Sequence, residues 1–314
     1  MMRRNTFALV TALIILFSLP VFAGKDDKYF NRFIEPLHAE AGPLLSPPLG
    51  SIPQTEIWAG FGLKYHDWQN GRAKYSQVST RLIIGGQWSP KKLSWLGVGG
   101  DLVALQTNTV RTRLPPVIDE KDRHVNLGVL RLHIRARVFS IKKKNPKKLP
   151  IVLALTPFFR MGLPTDTSRI GQDRRMPMRY MLDSDVLENP YFLVEPGVAA
   201  GFLFWRINIY THQSLMAAPV KNGEAYWFYS FHNGIAARIA DMFELIFELN
   251  GLMRLTENDQ GDRLSAWAAS PGLRFIHGNF SYELSARLGY GKDPLQPYGK
   301  FTAACSISWT PDTD

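Results

Sequence analysis

Arg131, His133, Arg135 and Arg137 stand at every second position of one short segment, and Leu130, Leu132, Ile134, Ala136 and Val138 fill the positions between them. A period of two is the period of a β-strand, so a strand here carries aliphatic side chains on one face and a ladder of cations on the other. Cations held at that spacing raise the local concentration of anions. An acidic counterpart lies at Glu244 and Glu248, which share one face of a strand whose other face is Phe243, Leu245, Phe247 and Leu249. A second spacing with chemical content is His212-Gln213-Ser214. Two residues apart on a strand, histidine and serine lie side by side, as a base and its nucleophile must. No paired carboxylates, glycine-rich phosphate loop or metal-ligand spacing occurs elsewhere, so neither a metal site nor a cofactor is expected.

The same alternation recurs from Glu56 onward in about twelve segments. Ile57, Ala59, Phe61, Leu63 and Tyr65 share one face, as do Val78, Leu82, Ile84 and Trp88. Phe280, Tyr282, Leu284, Leu288 and Tyr290 form another set, and Phe301, Ala303, Cys305, Ile307 and Trp309 the last. Segments of about a dozen residues exceed the usual globular strand and match the 9 to 11 tilted residues that cross a bilayer. Pro157 counts against the fifth segment, because proline removes a ladder donor. Connections after odd-numbered segments are longer and polar, with Asn108 to His124 and Leu163 to Asn189 the longest; those after even-numbered segments are mostly tight. Carried through the chain, the polar faces hold Lys64, Arg81, Arg131, Arg135, Arg137, Arg160, Arg238, Arg254, Arg274, Arg287 and Lys300 against Asp101, Glu195, Glu244, Glu248 and Glu283. Eleven bases against five acids favour anions, with Glu244 and Glu248 opposing the arginine wall.

Residues 1 to 23 place Arg3 and Arg4 before an apolar run from Phe7 to Phe17 and end at Val21-Phe22-Ala23, the layout of a cleaved signal peptide. Removing those two arginines lowers the formal net charge from +10 to +8. The proline-rich residues 24 to 53 read as a periplasmic leader or a small plug, and 54 to 314 as the membrane domain. No stretch after the signal reaches the 18 to 20 apolar residues of a membrane helix. Cys305 is the single cysteine, so no intrachain disulfide is available.

The recurring alternation, the asymmetric connections and the aromatic residues near the ends of the apolar faces resemble bacterial outer-membrane β-barrel proteins of about twelve strands, over Glu56 to Thr310. That resemblance implies an all-β, transmembrane, antiparallel up-and-down β-barrel with a polar lumen, located in the outer membrane. It carries no family-specific motif, and the chain runs on through TPDTD after Trp309, where such proteins often end on an aromatic residue.

The function expected is a channel or transporter for small solutes, anionic ones included. Arg131, His133, Arg135, Arg137, Arg238, Glu244, Glu248, Arg254, Arg274, Glu283 and Arg287 are expected to line it. Expected partners are outer-membrane lipids and lipopolysaccharide, a small-molecule solute and the barrel-assembly machinery, with no nucleic acid. Two alternatives stay open. One is a closed structural or adhesive barrel. The other is a lipid ester hydrolase using His212 and Ser214, since His-x-Ser resembles that of outer-membrane phospholipase A and the outer-membrane lipid A deacylase. Against it, the chain has Leu215 where those families carry asparagine, and Asn208, Tyr210, His212 and Ser214 share the inward face. Amino-terminal sequencing of the protein extracted from membranes is expected to begin at Gly24; a chain still carrying Met1 would make residues 1 to 23 an anchor instead.

Overall fold

The computed structural model describes residues 54–70, 73–114, 118–126, 129–144, 150–164, 193–219, 225–240, 242–255, 265–290 and 300–311. The signal segment, the leader or plug, and the long connection with its arginines at 169, 174, 175 and 179 lie outside them.

The strands are β1 (Glu56–Asn70), β2 (Ala73–Trp88), β3 (Leu96–Leu114), β4 (Ile118–Asn126), β5 (Val129–Ala136), β6 (Phe139–Lys144) and β7 (Pro150–Pro164). They continue as β8 (Leu193–Phe204), β9 (Ile207–Pro219), β10 (Ala225–Ala240), β11 (Phe243–Arg254), β12 (Ser265–His277), β13 (Phe280–Tyr290) and β14 (Phe301–Trp309). β4, β5 and β6 follow one another along one stave: β3 pairs with β4 and β5, and β7 with β5 and β6. The fourteen strands therefore make twelve staves. Each is antiparallel to its neighbours, and β14 returns to β1 from Ile57↔Trp309 to Tyr65↔Phe301, which closes the barrel.

Alternation in the sequence becomes inside and outside. On β13, Phe280, Tyr282 and Leu284 are exposed, while Ser281, Glu283 and Arg287 are buried. Around the wall Ile57, Phe61, Ile84, Leu132, Ile134, Phe159, Ile209, Phe247 and Trp267 face out, and lysine, arginine, glutamate and histidine face in. A soluble barrel would bury the first set and wet the second. This distribution is stable only where the surroundings are hydrocarbon, so the chain is a transmembrane β-barrel of the outer-membrane type.

The rim holding both barrel termini has tight turns, among them Trp205–Arg206 and Gly278–Asn279, with Trp205 and Gly278 at φ near +56°. The opposite rim carries the longer connections. On one side of that rim the wall rises beyond its neighbours. The expected loop from Asn108 to His124 is instead ladder, with β2 and β3 paired up to Lys74↔Arg113 and β3 and β4 up to Leu114↔Ile118. Threonines and long charged side chains alternate here as well as in the membrane segments, and pairing to β2 extends the sheet through them.

Pro157 stays within β7, opposite Val198. The β5–β7 ladder ends at Arg135↔Phe158 and the β6–β7 ladder resumes at Phe139↔Leu155, so the proline falls where the adjacent stave is interrupted. A missing donor is tolerated at such an irregularity.

Four glycines face aromatic side chains directly across the ladder: Gly85 with Trp58, Gly197 with Phe158, Gly234 with Tyr210, and Gly251 with Phe231. Phe158 lies opposite Gly197 on β8. Each ring lies over backbone that a Cβ would occupy. The outward face carries a polar island, where Thr211 Oγ1 donates to Asn233 Oδ1 at 2.7 Å, Gln213 Nε2 donates to both, and Tyr229 donates to Gln213. Mutual hydrogen bonds lower the cost of holding these groups against lipid. Gly234→Val is expected to displace the Tyr210 ring and destabilise the barrel by about 1–3 kcal/mol. The check is a lower midpoint for heat-induced loss of the compact form on a gel; an unchanged midpoint would show that the ring has room to move.

Candidate functional site

Inward parity on β3, β5 and β7 assembles a cation-rich wall. Arg131, His133 and Arg135 are buried in a row on β5, and Arg160 of β7 lies directly across from His133. Carboxylates flank the row. Arg131 Nη1 is 2.8 Å from Asp101 Oδ1, its cross-strand neighbour, and Arg160 Nη1 is 3.0 Å from Glu195 Oε2, likewise its neighbour. His133 Nε2 lies 3.3 Å from Gln87 Oε1, and Gln87 Nε2 donates to the Gln54 carbonyl. Pairs between directly opposed residues need little rotamer search, which is why neighbouring staves supply them.

Among the fully buried charges, the facing wall carries Glu244, Glu248 and Glu283 against Arg274 and Arg287. Counting staves from β5, β11 is the fifth of twelve, nearly across the lumen. Arg274 is shared there between two carboxylates: Nη1 is 2.9 Å from Glu244 Oε2, and Nε and Nη2 are both 2.8 Å from Glu283 Oε1. Ser306 Oγ donates to Glu283 Oε2 at 2.6 Å, and Tyr210 donates to Glu248 Oε1 at 2.5 Å. Asn250 donates to Ser270, and Arg287 Nε reaches the same hydroxyl at 3.3 Å. Arg274 and Glu248 are 1% and 0% exposed, so charge here is neutralised by neighbours rather than by bulk water.

Between these walls lie His212 and Ser214. Ser214 Oγ donates to Glu195 Oε1 at 2.8 Å, and His212 Nε2 is 3.7 Å from the same oxygen. The His212 ring packs on Phe158, with centroids 4.5 Å apart, and meets His232 edge-on at 5.5 Å. The serine proton is directed to the carboxylate and not to the histidine, so the pair is arranged as a hydrogen-bonded corner of the lumen. Both side chains face inward, away from lipid.

The structure departs from the expected lining at three positions. Arg137 falls in the break between β5 and β6, half-buried, with its backbone N–H on the Trp95 carbonyl, so the wall is Arg131, His133 and Arg135. Strict alternation could not reveal this, because the stave slips there without a turn residue. Lys300 is exposed at the far rim, where its Nζ is 2.8 Å from Asp67. Glu56, taken as the first residue of the barrel, is buried on the inner side. Arg238 lies directly across from Glu244 near the rim that holds the barrel termini, half-buried, and the Arg254 side chain lies outside the described residues. Among described residues the buried charges are Lys64, Arg81, Arg131, Arg135, Arg160, Arg274 and Arg287 against Glu56, Asp101, Glu195, Glu244, Glu248 and Glu283. Among the fully buried charges of the described residues, bases and acids are thus near parity. The hydroxyl, amide and phenol partners, Ser214, Ser270, Ser306, Asn250 and Tyr210, were legible only as inward positions.

No family model and no curated protein matches the sequence. Solved structures with a similar barrel include the translocator domain of the autotransporter NalP from Neisseria meningitidis, with TM-score 0.46 and 11% identity over 82% of this chain and 88% of that one. The NanC porin aligns with TM-score 0.43 and 5% identity over 82% of this chain and 100% of its own. The transport unit of the autotransporter AIDA-I from Escherichia coli aligns with TM-score 0.40 and 10% identity over 98% of each chain. Likeness at this level is one of barrel shape and reaches no further.

Arg274→Met leaves two buried carboxylates without their shared guanidinium, a loss expected to cost about 3–5 kcal/mol. Thermal unfolding in detergent checks it: the midpoint should fall for Arg274→Met and recover in part when Glu244→Gln is added, whereas an unaltered midpoint would mean that water replaces the arginine.

Proposed function

We propose that the barrel is a narrow outer-membrane passage for small anionic solutes. The observation that carries this is the row of buried guanidiniums on β5 and β7, where Arg131, Arg135 and Arg160 outnumber their flanking carboxylates Asp101 and Glu195. A row of this kind lets an anion pass from one guanidinium to the next. Twelve staves enclose a bore between the filled interior of eight-stranded barrels and the open one of 16- to 18-stranded porins, which suits a solute of few atoms. Arg131 and Arg160 already hold carboxylates, so the passing anion exchanges with wall groups instead of entering a water-filled pore.

A second reading, the closed structural barrel, has an observation of its own: Arg131, Arg160, Arg274 and Arg287 are among the largest fully buried side chains of the described residues. Single-channel conductance of the refolded mature protein in a planar bilayer, with a salt gradient, separates the two. The passage predicts small, discrete, anion-favouring steps, and Arg135→Glu is expected to move the reversal potential toward cations. A folded barrel that stays silent would leave the closed form standing, and an ion preference untouched by Arg135→Glu would remove the cationic wall from the explanation.

A further inference from the structure

Midway up the lipid-facing wall, β9 and β10 carry groups that hydrocarbon does not solvate. Thr211 lies directly across from Asn233, Gln213 across from Phe231, and Leu215 across from Tyr229. On β10 the outward positions beyond Asn233 are Phe231, Tyr229 and Trp227 toward one rim, and Ile235 and Ala237 toward the other. Each two-residue step along a tilted strand rises roughly 5 Å, so Asn233 stands about 10 Å from the Ala237 row and about 15 Å from the Trp227 row. The apolar band of a membrane barrel is roughly 25 Å tall. The polar island is thus at hydrocarbon depth, between the headgroup layers.

Its hydrogen bonds leave a defined remainder. Asn233 Oδ1 accepts from Thr211 Oγ1 at 2.7 Å and from Gln213 Nε2 at 3.0 Å, which fills both lone pairs. Gln213 Nε2 also donates to Thr211 Oγ1 at 2.6 Å, and Tyr229 donates to Gln213 Oε1. Left over is the Asn233 amide nitrogen. Its two N–H groups have no acceptor among the described residues, and the side chain is exposed. Spare acceptor capacity stands beside it, one lone pair each on Thr211 Oγ1, Gln213 Oε1 and the Tyr229 phenol. Lipid chains offer these groups nothing, whereas a second protein wall can meet them.

The wall around the island is also low in relief. Val198 and Ala200 of β8 lie in register with Gln213 and Thr211, and Pro157 follows Val198 on β7. On the other flank Phe231 lies over Gly251 of β11, where a Cβ would meet its ring. Small residues and flattened rings let two walls approach until side-chain amides touch.

We propose that this face of β8, β9 and β10 is the interface at which two copies of the chain pair within the membrane, about a two-fold axis along the bilayer normal. Such an axis preserves depth and sets β9 of one copy against β10 of the other, so each Asn233 amide donates to Thr211 of the other copy and the contact is made twice. Spare donors and spare acceptors in one patch make it self-complementary, which selects a second copy over an unrelated chain. The pairing leaves the lumen untouched and holds whether or not solute passes through it.

The test uses the full mature protein refolded into phosphatidylcholine vesicles with a fluorophore on its amino terminus. Association is read as resonance energy transfer between labelled copies against the protein-to-lipid ratio, and copy number as bleaching steps of single particles. Wild type is expected to reach particles that bleach in two steps. Asn233→Leu is expected to weaken association about tenfold or more, because two symmetric hydrogen bonds are lost together. Asn233→Gln keeps the amide and is expected to retain most of the association. Ala200→Trp adds bulk beside the island, is expected to weaken association as well, and carries the test should Asn233→Leu fail to reach the compact form. Leu284→Trp, on the exposed face of β13 away from the patch, is expected to leave association as it is. A wild type that stays monomeric at the highest protein-to-lipid ratio that keeps it folded would overturn the interface. Equal association in wild type, Asn233→Leu and Ala200→Trp would overturn its location, and particles that bleach in more than two steps would overturn the two-fold pairing.

Discussion

Hydrocarbon offers no hydrogen-bond partners, and that single constraint governs this chain. Every backbone N–H and C=O at membrane depth must be met by another strand, which requires the sheet to close. The β1–β14 seam, nine register pairs from Ile57↔Trp309 to Tyr65↔Phe301, completes that circle. Once closed, the wall has two faces only. One must be apolar enough to meet lipid, and the other receives whatever charge the sequence carries.

The interior answers a different requirement. Charges taken out of water must be neutralised within reach, and the staves do so largely with directly opposed neighbours: Asp101 with Arg131, Arg160 with Glu195, Arg274 with Glu244 and with Glu283. Ser214 and Ser306 satisfy the second oxygens of Glu195 and Glu283. Such a network holds the lumen in one arrangement and ties its chemistry to the register of the sheet. A one-residue slip would send each of these charges into lipid. Where the wall rises above the bilayer that demand disappears, and like charges can stand opposite one another, as Lys74 and Arg113 do.

Irregularities in the wall have local causes. Pro157 lacks a donor where the β5–β6 stave is interrupted, and β3 takes one extra residue, Ala104, where the register to β2 shifts between Leu82 and Ile83. Glycines opposite Trp58, Phe158 and Tyr210 let large rings lie against the inner wall, where any side chain would collide with them. The polar island at Thr211, Gln213, Tyr229 and Asn233 departs from the apolar belt but satisfies much of its own hydrogen bonding.

Period-two alternation in the sequence determined the inside and outside of nearly every stave, because a strand has only two faces and the apolar one is unmistakable in residues such as Phe243, Leu245, Phe247 and Leu249. It also determined that His212 and Ser214 face the lumen. Partner choice was beyond it. Which arginine meets which glutamate depends on register between staves that are neighbours in space, and β14 meets β1 only after the whole chain has gone round. The fate of Arg137 and of Asn108 to His124 was likewise a tertiary matter. The first lies at a break imposed by pairing with β3 and β7, and the second was drawn into the sheet by β2, whose ladder offered its backbone groups partners that a loop would have had to find in water.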